Sequence, residues 1–377
     1  MTKKLMLAAI LIMTGQLLAA QGNFKIIKAS SKSVDIKEGD DFYKNRWTIS
    51  PEIKPDVFST SAKGKRVTFY TDKDSLTIKI TPTTKYEFII LLNDTTKALT
   101  QILYKPGYLD ILKKAAAFNT EDRRQIPKFE YQDKDNPNLV ALRKDLNLDS
   151  IAGTGNETAK ILNLLHWVHN LIPHDGNHEN PTVKNAMNMI ALCKKESRGL
   201  NCRGLATVLN ECYLSLGIKS RFVTCMPKDT VFDDCHVINM VYLEVAKKWI
   251  WIDPTNNAYV MNEKGELLSM QEVRERLINN KPVILNPDAN WNNKESATKE
   301  GYLYNYMAKN LYRMQCPLVS EYDSETWKNG KKITFVDFLP LDAYQQKPDK
   351  TEATNSNTGT TFTHYKTNNP AIFWQIP

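Results

Sequence analysis

Over residues 24–104, apolar and polar positions alternate in short runs rich in β-branched and aromatic residues. Examples are Arg66-Val67-Thr68-Phe69-Tyr70, Ser75-Leu76-Thr77-Ile78-Lys79-Ile80 and Tyr86-Glu87-Phe88-Ile89-Ile90-Leu91. Between the runs lie Ala62-Lys63-Gly64, Thr71-Asp72-Lys73-Asp74 and Asn93-Asp94, residue types that tolerate sharp chain reversal. A period of two with frequent turns predicts an antiparallel, β-sandwich-like domain, placed at 23–108. No nucleophile is paired with a base in this region, so it reads as a packing or substrate-presenting module.

The pattern then changes. Residues 109–150 are charged and interrupted by Pro127 and Pro137, as expected of a connecting segment with one or two short helices. From 151 the period lengthens: Ile161, Leu164, Leu165, Val168 and Ile172 form one apolar face of a helix entered through Asn156-Glu157-Thr158. Leu205, Leu209, Cys212 and Leu216 repeat the helical spacing, two strands are expected at 235–243 and 248–253 around a turn near 244–247, and a further helix at 270–278. These elements define an α+β domain at 151–286. The remainder, 287–377, reads as a C-terminal extension with an aromatic-rich stretch near 302–312 and a strand at 333–338. A polar stretch at 345–361 is expected to be a mobile linker, and Phe373-Trp374 to dock back. No solenoid repeat is present.

The chain opens with Lys3 and Lys4, an apolar run from Leu5 to Leu18 and small residues at Ala19, Ala20 and Gly22. This is the pattern of a signal peptide at 1–22, predicting an exported protein, periplasmic or secreted, without stable membrane insertion. The net charge of +8 (50 − 42) becomes +6 without the two lysines, and no long Lys/Arg block exists, which argues against nucleic acid as a partner. All six cysteines lie in the second half; if Cys202 stays free, five remain and cannot all pair. His166, His169, His174 and His178 have no zinc-type spacing, so neither a metal nor another cofactor is expected, and His166 and His169 are placed on the wet side of their helix.

Three local settings carry chemistry. Cys202, in Asn201-Cys202-Arg203-Gly204, falls in the first turn of a helix, where unpaired amides and the helix dipole favour the thiolate. The Cys202 backbone N–H is the first candidate oxyanion donor, and Gly204 allows substrate or a neighbouring strand to come close. His236 and Asp253 sit on the two predicted strands; a hairpin centred near Glu244 and Val245 sets them opposite each other or within one register step, with Trp249 and Trp251 on the same face. A thiol nucleophile, an imidazole base and an orienting carboxylate are the parts of a covalent acyl-transfer site. Asn201, Trp167 and the loop residue His174 are secondary candidates for the oxyanion site or cleft.

The blocks Gly199-Leu200-Asn201-Cys202-Arg203-Gly204-Leu205-Ala206, Leu216-Gly217-Ile218-Lys219-Ser220-Arg221-Phe222-Val223, Cys235-His236-Val237 and Lys248-Trp249-Ile250-Trp251-Ile252-Asp253-Pro254-Thr255 resemble the transglutaminase-like superfamily. That superfamily includes transglutaminases, bacterial cysteine peptidases and peptide N-glycanases, and the resemblance spans about 159–259. It implies a papain-like core, a cysteine helix packed on an antiparallel sheet, and assigns catalytic roles to Cys202, His236 and Asp253. Two departures are Ile238, where many members carry an aromatic residue, and the lack of a dense acidic cluster of the kind that binds calcium in animal transglutaminases.

The expected activity is therefore cleavage or transfer of the acyl group of a peptide-like amide through a Cys202 thioester. A peptidase or amidase is the leading expectation, acting on a peptide or protein, glycopeptides included. A protein-glutamine acyltransferase is the alternative, and a non-catalytic glycan- or peptide-binding protein the reading from another class.

Overall fold

The computed structural model describes residues 24–229 and 234–377, so the signal-peptide reading lies outside the described residues. The chain divides into two compact units, residues 1–107 and 108–377.

The first unit contains β1 (Lys25–Ala29), β2 (Ser33–Glu38), β3 (Asp41–Thr48), β4 (Asp56–Thr60), β5 (Arg66–Tyr70), β6 (Ser75–Lys79), β7 (Lys85–Leu92) and β8 (Thr96–Tyr104). They form two four-stranded sheets, ordered β1-β7-β8-β4 and β3-β2-β5-β6. Ile27, Phe58, Phe88 and Ile102 from the first sheet share one core with Val34, Ile36, Val67 and Phe69 from the second, which makes this a sandwich. The pairing is not purely antiparallel: β1 with β7 and β4 with β8 run parallel. Both parallel strands lie at the edges of their sheet and are followed in sequence by a strand of the other sheet, so neither is tied to its partner by a hairpin turn.

The second unit is built on a seven-stranded sheet. Its strands are β9 (Ser220–Met226), β10 (His236–Leu243), β11 (Lys248–Ile252), β12 (Arg313–Pro317), β13 (Lys332–Phe338), β14 (Lys350–Thr354) and β15 (Thr361–Thr367), ordered β11-β10-β9-β12-β13-β15-β14. All neighbours are antiparallel except β13 with β15. The helices are α1 (Tyr108–Lys113), α2 (Pro137–Asp145), α3 (Leu148–Ala152), α4 (Glu157–Leu171), α5 (Ala186–Glu196), α6 (Cys202–Ser215) and α7 (Met270–Ile278). Ile161, Leu164, Leu165 and Val168 of α4 and Leu205, Val208, Leu209 and Cys212 of α6 pack on Val241, Leu243, Ile250 and Ile252, one face of the sheet. Alternate strand residues Val223, Ile238, Met240, Trp249 and Trp251 face the other way, against Val273 and Leu277 of α7 and Leu303 and Met307 of a π-helical segment, Glu300–Met307.

Residues beyond 287 do not form an appendage: β12 to β15 continue the same sheet outward from β9. The stretch expected to be a mobile linker contains β14, the edge strand, paired antiparallel with β15. Its polar composition fits that place, since an edge strand shows most of its side chains to water, and four of the five in β14 are exposed. Phe373 is fully buried, and the Trp249 indole N–H points to the carbonyls of Trp374 (3.3 Å) and Gln375 (3.2 Å). Among the described residues no helix is long and apolar enough to cross a membrane.

Candidate active site

Helix α6 begins where its sequence predicts. Asn201 adopts an extended N-cap conformation (φ −73°, ψ 174°) and its Oδ1 accepts the Gly204 N–H at 3.2 Å, which places Cys202 at the first helical position. Asn180 locks this cap from outside: its Nδ2 donates to Asn201 Oδ1 (2.7 Å) and its Oδ1 accepts the Asn201 N–H (3.1 Å). The absent side chain of Gly204 makes room for Asn180, because a Cβ there would lie 2.6 Å from Asn180 Oδ1. Asn201 is thus occupied by structural hydrogen bonds rather than offered to the cleft. Below the cap, Cys202 packs with Ala206, Phe222 and Val237.

His236 opens β10, and its Nε2 lies 2.7 Å from Asp253 Oδ2; both side chains are almost fully buried. The observed hairpin register pairs Asn239 with Ile252 and Leu243 with Lys248. Continued by three residues from Asn239, it sets position 236 against 255, so Asp253 is a diagonal rather than a direct neighbour of His236. The difference of two residues preserves the face and therefore the contact. Asp253 follows the last residue of β11, and the carboxylate is held from several sides. Oδ1 accepts the Thr255 N–H (2.9 Å), while Oδ2 also accepts Asn256 Nδ2–H (3.0 Å) and the Tyr302 hydroxyl (2.6 Å). Trp251 donates its indole N–H to Tyr302 Oη (3.2 Å), acting one step removed from the pair it was expected to shield. The Tyr306 ring lies edge-on to the His236 ring at 5.2 Å. Tyr302 and Tyr306 come one turn apart from the π-helical segment, a wide-turn geometry that recurs at functional sites.

The third side of the thiol is His174. The chain at 173–175 runs beside 199–200, with Leu200 N–H donating to the Pro173 carbonyl (3.1 Å) and Asp175 N–H to the Leu200 carbonyl (2.7 Å). Gly199 permits this approach, since a Cβ there would sit 2.4 Å from the Pro173 carbonyl oxygen. Asn292 grips His174 by its backbone through Oδ1 to N–H (2.6 Å) and Nδ2–H to the carbonyl (2.9 Å). Trp291 donates its indole N–H to His174 Nδ1 at 3.1 Å. Because an indole nitrogen only donates, Nδ1 is the acceptor and the His174 proton is on Nε2.

These neighbours set the charge of the sulfur. Burial pushes the Cys202 thiol up, but hydrogen bonds from His174 and His236, the His236 charge and the Val237 N–H outweigh it and bring the thiol to about 6. Burial works to lower His236, and the Asp253 carboxylate together with the Cys202 sulfur reverses this, so the imidazole is raised above its usual 6.5. Burial likewise opposes ionisation of Asp253, yet the His236 charge and the hydrogen bonds it receives hold it below the usual carboxylate value. Together these shifts describe a thiolate–imidazolium pair backed by a carboxylate.

The other sequence candidates fall elsewhere. Trp167 packs against the helical core, and no contact joins it to Cys202 among the described residues. His169, expected on the wet face, is 4% exposed: its Nδ1 meets the Pro254 carbonyl (2.9 Å) and its Nε2 Asn290 Oδ1 (3.0 Å), which ties α4 to the segments on either side of the site. All six cysteines are free thiols. Among the described residues no group of three His, Cys, Asp or Glu side chains is arranged to hold a metal ion. Sequence reading missed Asn180, Tyr302, Asn256 and Trp291; only the aromatic-rich stretch near 302–312 pointed toward any of them.

No curated protein sequence matches this chain. Among solved structures it is similar to a candidate cysteine protease from Cytophaga hutchinsonii, with 19% identity and a TM-score of 0.25, over 34% of this chain and 40% of that one. The match thus spans less than half of that protein. Residues 144–254, which include Cys202, His236 and Asp253, match the model of the transglutaminase-like superfamily, so this segment is similar to that superfamily.

Proposed function

We propose that the second unit is a thiol hydrolase acting on peptide-like amides, with Cys202 as nucleophile, His236 as acid–base and Asp253 as the group that orients His236. The observation that carries this reading is the buried His236–Asp253 hydrogen bond beside a sulfur held as thiolate. The Cys202 sulfur attacks the amide carbonyl carbon, forming the C–S bond as the carbonyl π electrons move to oxygen. The oxyanion is received by the Cys202 backbone N–H and by His174 Nε2–H, whose tautomer Trp291 fixes. Collapse breaks the C–N bond while His236 delivers its proton to the departing amine. Water, deprotonated by His236, then attacks the thioester and returns the thiol.

Incubation with a glutamine-containing protein and a labelled amine, read by mass spectrometry, tests the reaction class. Shortened or deamidated products lost in Cys202→Ala support hydrolysis. Label incorporated at glutamine assigns acyl transfer instead, and a Cys202→Ala protein retaining full activity removes the thiol mechanism. The same reading takes the protein as exported, on the strength of its first 22 residues; cell fractionation with sequencing of the mature N-terminus tests that.

A further inference from the structure

A polar pocket of about 280 Å³ lies on β12, β13 and β15, lined by Arg313, Gln315, Asp337, Tyr344, His364 and Lys366 among others. None of these residues belongs to the site described above, yet sheet register links the two. Val237 is paired with Thr224, Thr224 with Gln315, Gln315 with Asp337 and Asp337 with Lys366. Side chains paired across strands point to one face of a sheet, so this row continues the face on which Cys202 packs against Val237 and Phe222. Arg203, next to the thiol, reaches the row by donating to Thr224 Oγ1 at 2.8 Å. With strands about 4.8 Å apart, Lys366 stands three spacings, roughly 14 Å, beyond Thr224. That distance corresponds to about four residues of extended peptide.

The pocket's charge is specific. Lys366 is 6% exposed, lines the cavity, and its ammonium has no hydrogen-bond or ion-pair partner among the described residues. An unpaired ammonium on a mostly buried stem, opening into a cavity, is a group that an anion can complete. Arg313 donates to the Pro227 carbonyl (3.2 Å) and stacks over Tyr344 (5.1 Å), which fixes its guanidinium at the pocket wall. Among the described lining residues the negative group is Asp337, which is engaged by Gln315 Nε2–H (2.7 Å) and lies 3.3 Å from His364 Nδ1.

We propose that this pocket is a substrate subsite for a carboxylate, carried on an extended peptide at least about four residues from the bond that Cys202 attacks. The proposal rests on the reading of Cys202 as nucleophile only for the distance; the pocket's preference for an anion stands apart from it.

The test uses the full chain carrying Cys202→Ala, to prevent turnover, and three fluorescent acetylated heptapeptide amides of glycine and serine with Glu, Gln or Lys at the centre. The central residue can enter the pocket with the chain running either way toward the thiol. The Glu peptide is expected to bind at least tenfold more tightly than the Gln peptide, the Lys peptide more weakly than both, and the Glu advantage to shrink with added salt. Lys366→Met, which keeps the buried stem, should abolish the Glu advantage without altering Gln binding, and Lys366→Arg should preserve it. Equal binding of Glu and Gln peptides, or no measurable binding of the Glu peptide, overturns the subsite. Failure of the thiol reading shows separately, as slow alkylation of Cys202 in the unmodified protein.

Discussion

Replacing His236 by Gln is the sharpest test of the ion pair, because it removes the imidazole charge while leaving an N–H able to reach Asp253. Asp253 keeps its hydrogen bonds from Tyr302, Thr255 and Asn256, so the buried carboxylate is not left without partners. What is lost is the His236 hydrogen bond and charge that help to bring the Cys202 thiol from 9.0 to about 6. The His174 and Val237 donors then act alone against burial, and the thiol midpoint should return toward 9. A difference of that size corresponds to about 4 kcal/mol between the two protonation states. At pH 7 the thiolate fraction falls from roughly 90% to roughly 1%. A single-pH rate would understate the change. The less acidic thiolate is intrinsically more nucleophilic, and a Brønsted slope of about 0.45 returns roughly 20-fold of the approximately 90-fold loss. The assay is therefore the full pH profile of iodoacetamide alkylation at Cys202, followed by peptide mass spectrometry. The expected result is a midpoint near 6 in the unmodified protein and above about 8 in the variant. An unmodified midpoint near 9, or one unmoved by His236→Gln, refutes the ion-pair reasoning.

Tyr302→Phe removes a charged hydrogen bond to Asp253 and the acceptor of the Trp251 indole, and should cost about 2–3 kcal/mol in urea unfolding; unchanged stability contradicts the proposed buttress. Gly199→Ala forces a Cβ against the Pro173 carbonyl, with an expected loss of about 1–3 kcal/mol and a rise in the alkylation midpoint as His174 leaves the sulfur. Cys202→Ala should reveal a hidden pH dependence of stability. Between about pH 6.5 and 9 the unfolded chain carries thiol and neutral imidazole, and the folded chain thiolate and imidazolium, so both hold one proton and the pair contributes no slope. Without the thiol, the raised His236 contributes stability that is full below its unfolded value of 6.5 and is lost as pH rises through its folded value. The variant's stability, measured as a difference from the unmodified protein, should therefore fall with rising pH across that window, and a flat difference rules out a charged His236.

The legibility of the fold followed the range of the interactions that fix it. Helix α6 was readable because its cap, its thiol and its apolar spacing all fall within a short segment, and Asn201, Cys202 and Leu205 state them locally. The His236–Asp253 pairing was readable because a hairpin is also local. Its register was misplaced by two residues because the four-residue turn 244–247 is centred between Val245 and Ala246 rather than between Glu244 and Val245. An even slip keeps every side chain on its face, so the chemical inference did not depend on it. The stretch 345–361 misled for the opposite reason: composition reports solvent exposure, and an edge strand and a linker are both exposed.

The residues that tune the thiol were beyond local reading. Asn180 lies 21 positions before the cap it locks, Tyr302 lies 49 beyond the carboxylate it holds, and Trp291 lies 117 from the histidine whose tautomer it fixes. None has an unusual neighbourhood in sequence, since an Asn before Pro, a Tyr among aromatics and a Trp between asparagines all have ordinary explanations. Their effect exists only because the fold brings the segment before α5, the turn around Trp291 and the π-helical segment against the site. The segment beyond 287 thus changes the chemistry of residues before 254. It supplies the Tyr302 donor that, behind the His236 charge and hydrogen bond, helps to keep Asp253 ionised in a fully buried place, and the Trp291 donor that keeps a proton on the thiol-facing nitrogen of His174. The local motif singles out Cys202, His236 and Asp253, and residues distant in sequence orient the groups that set the charge of the sulfur.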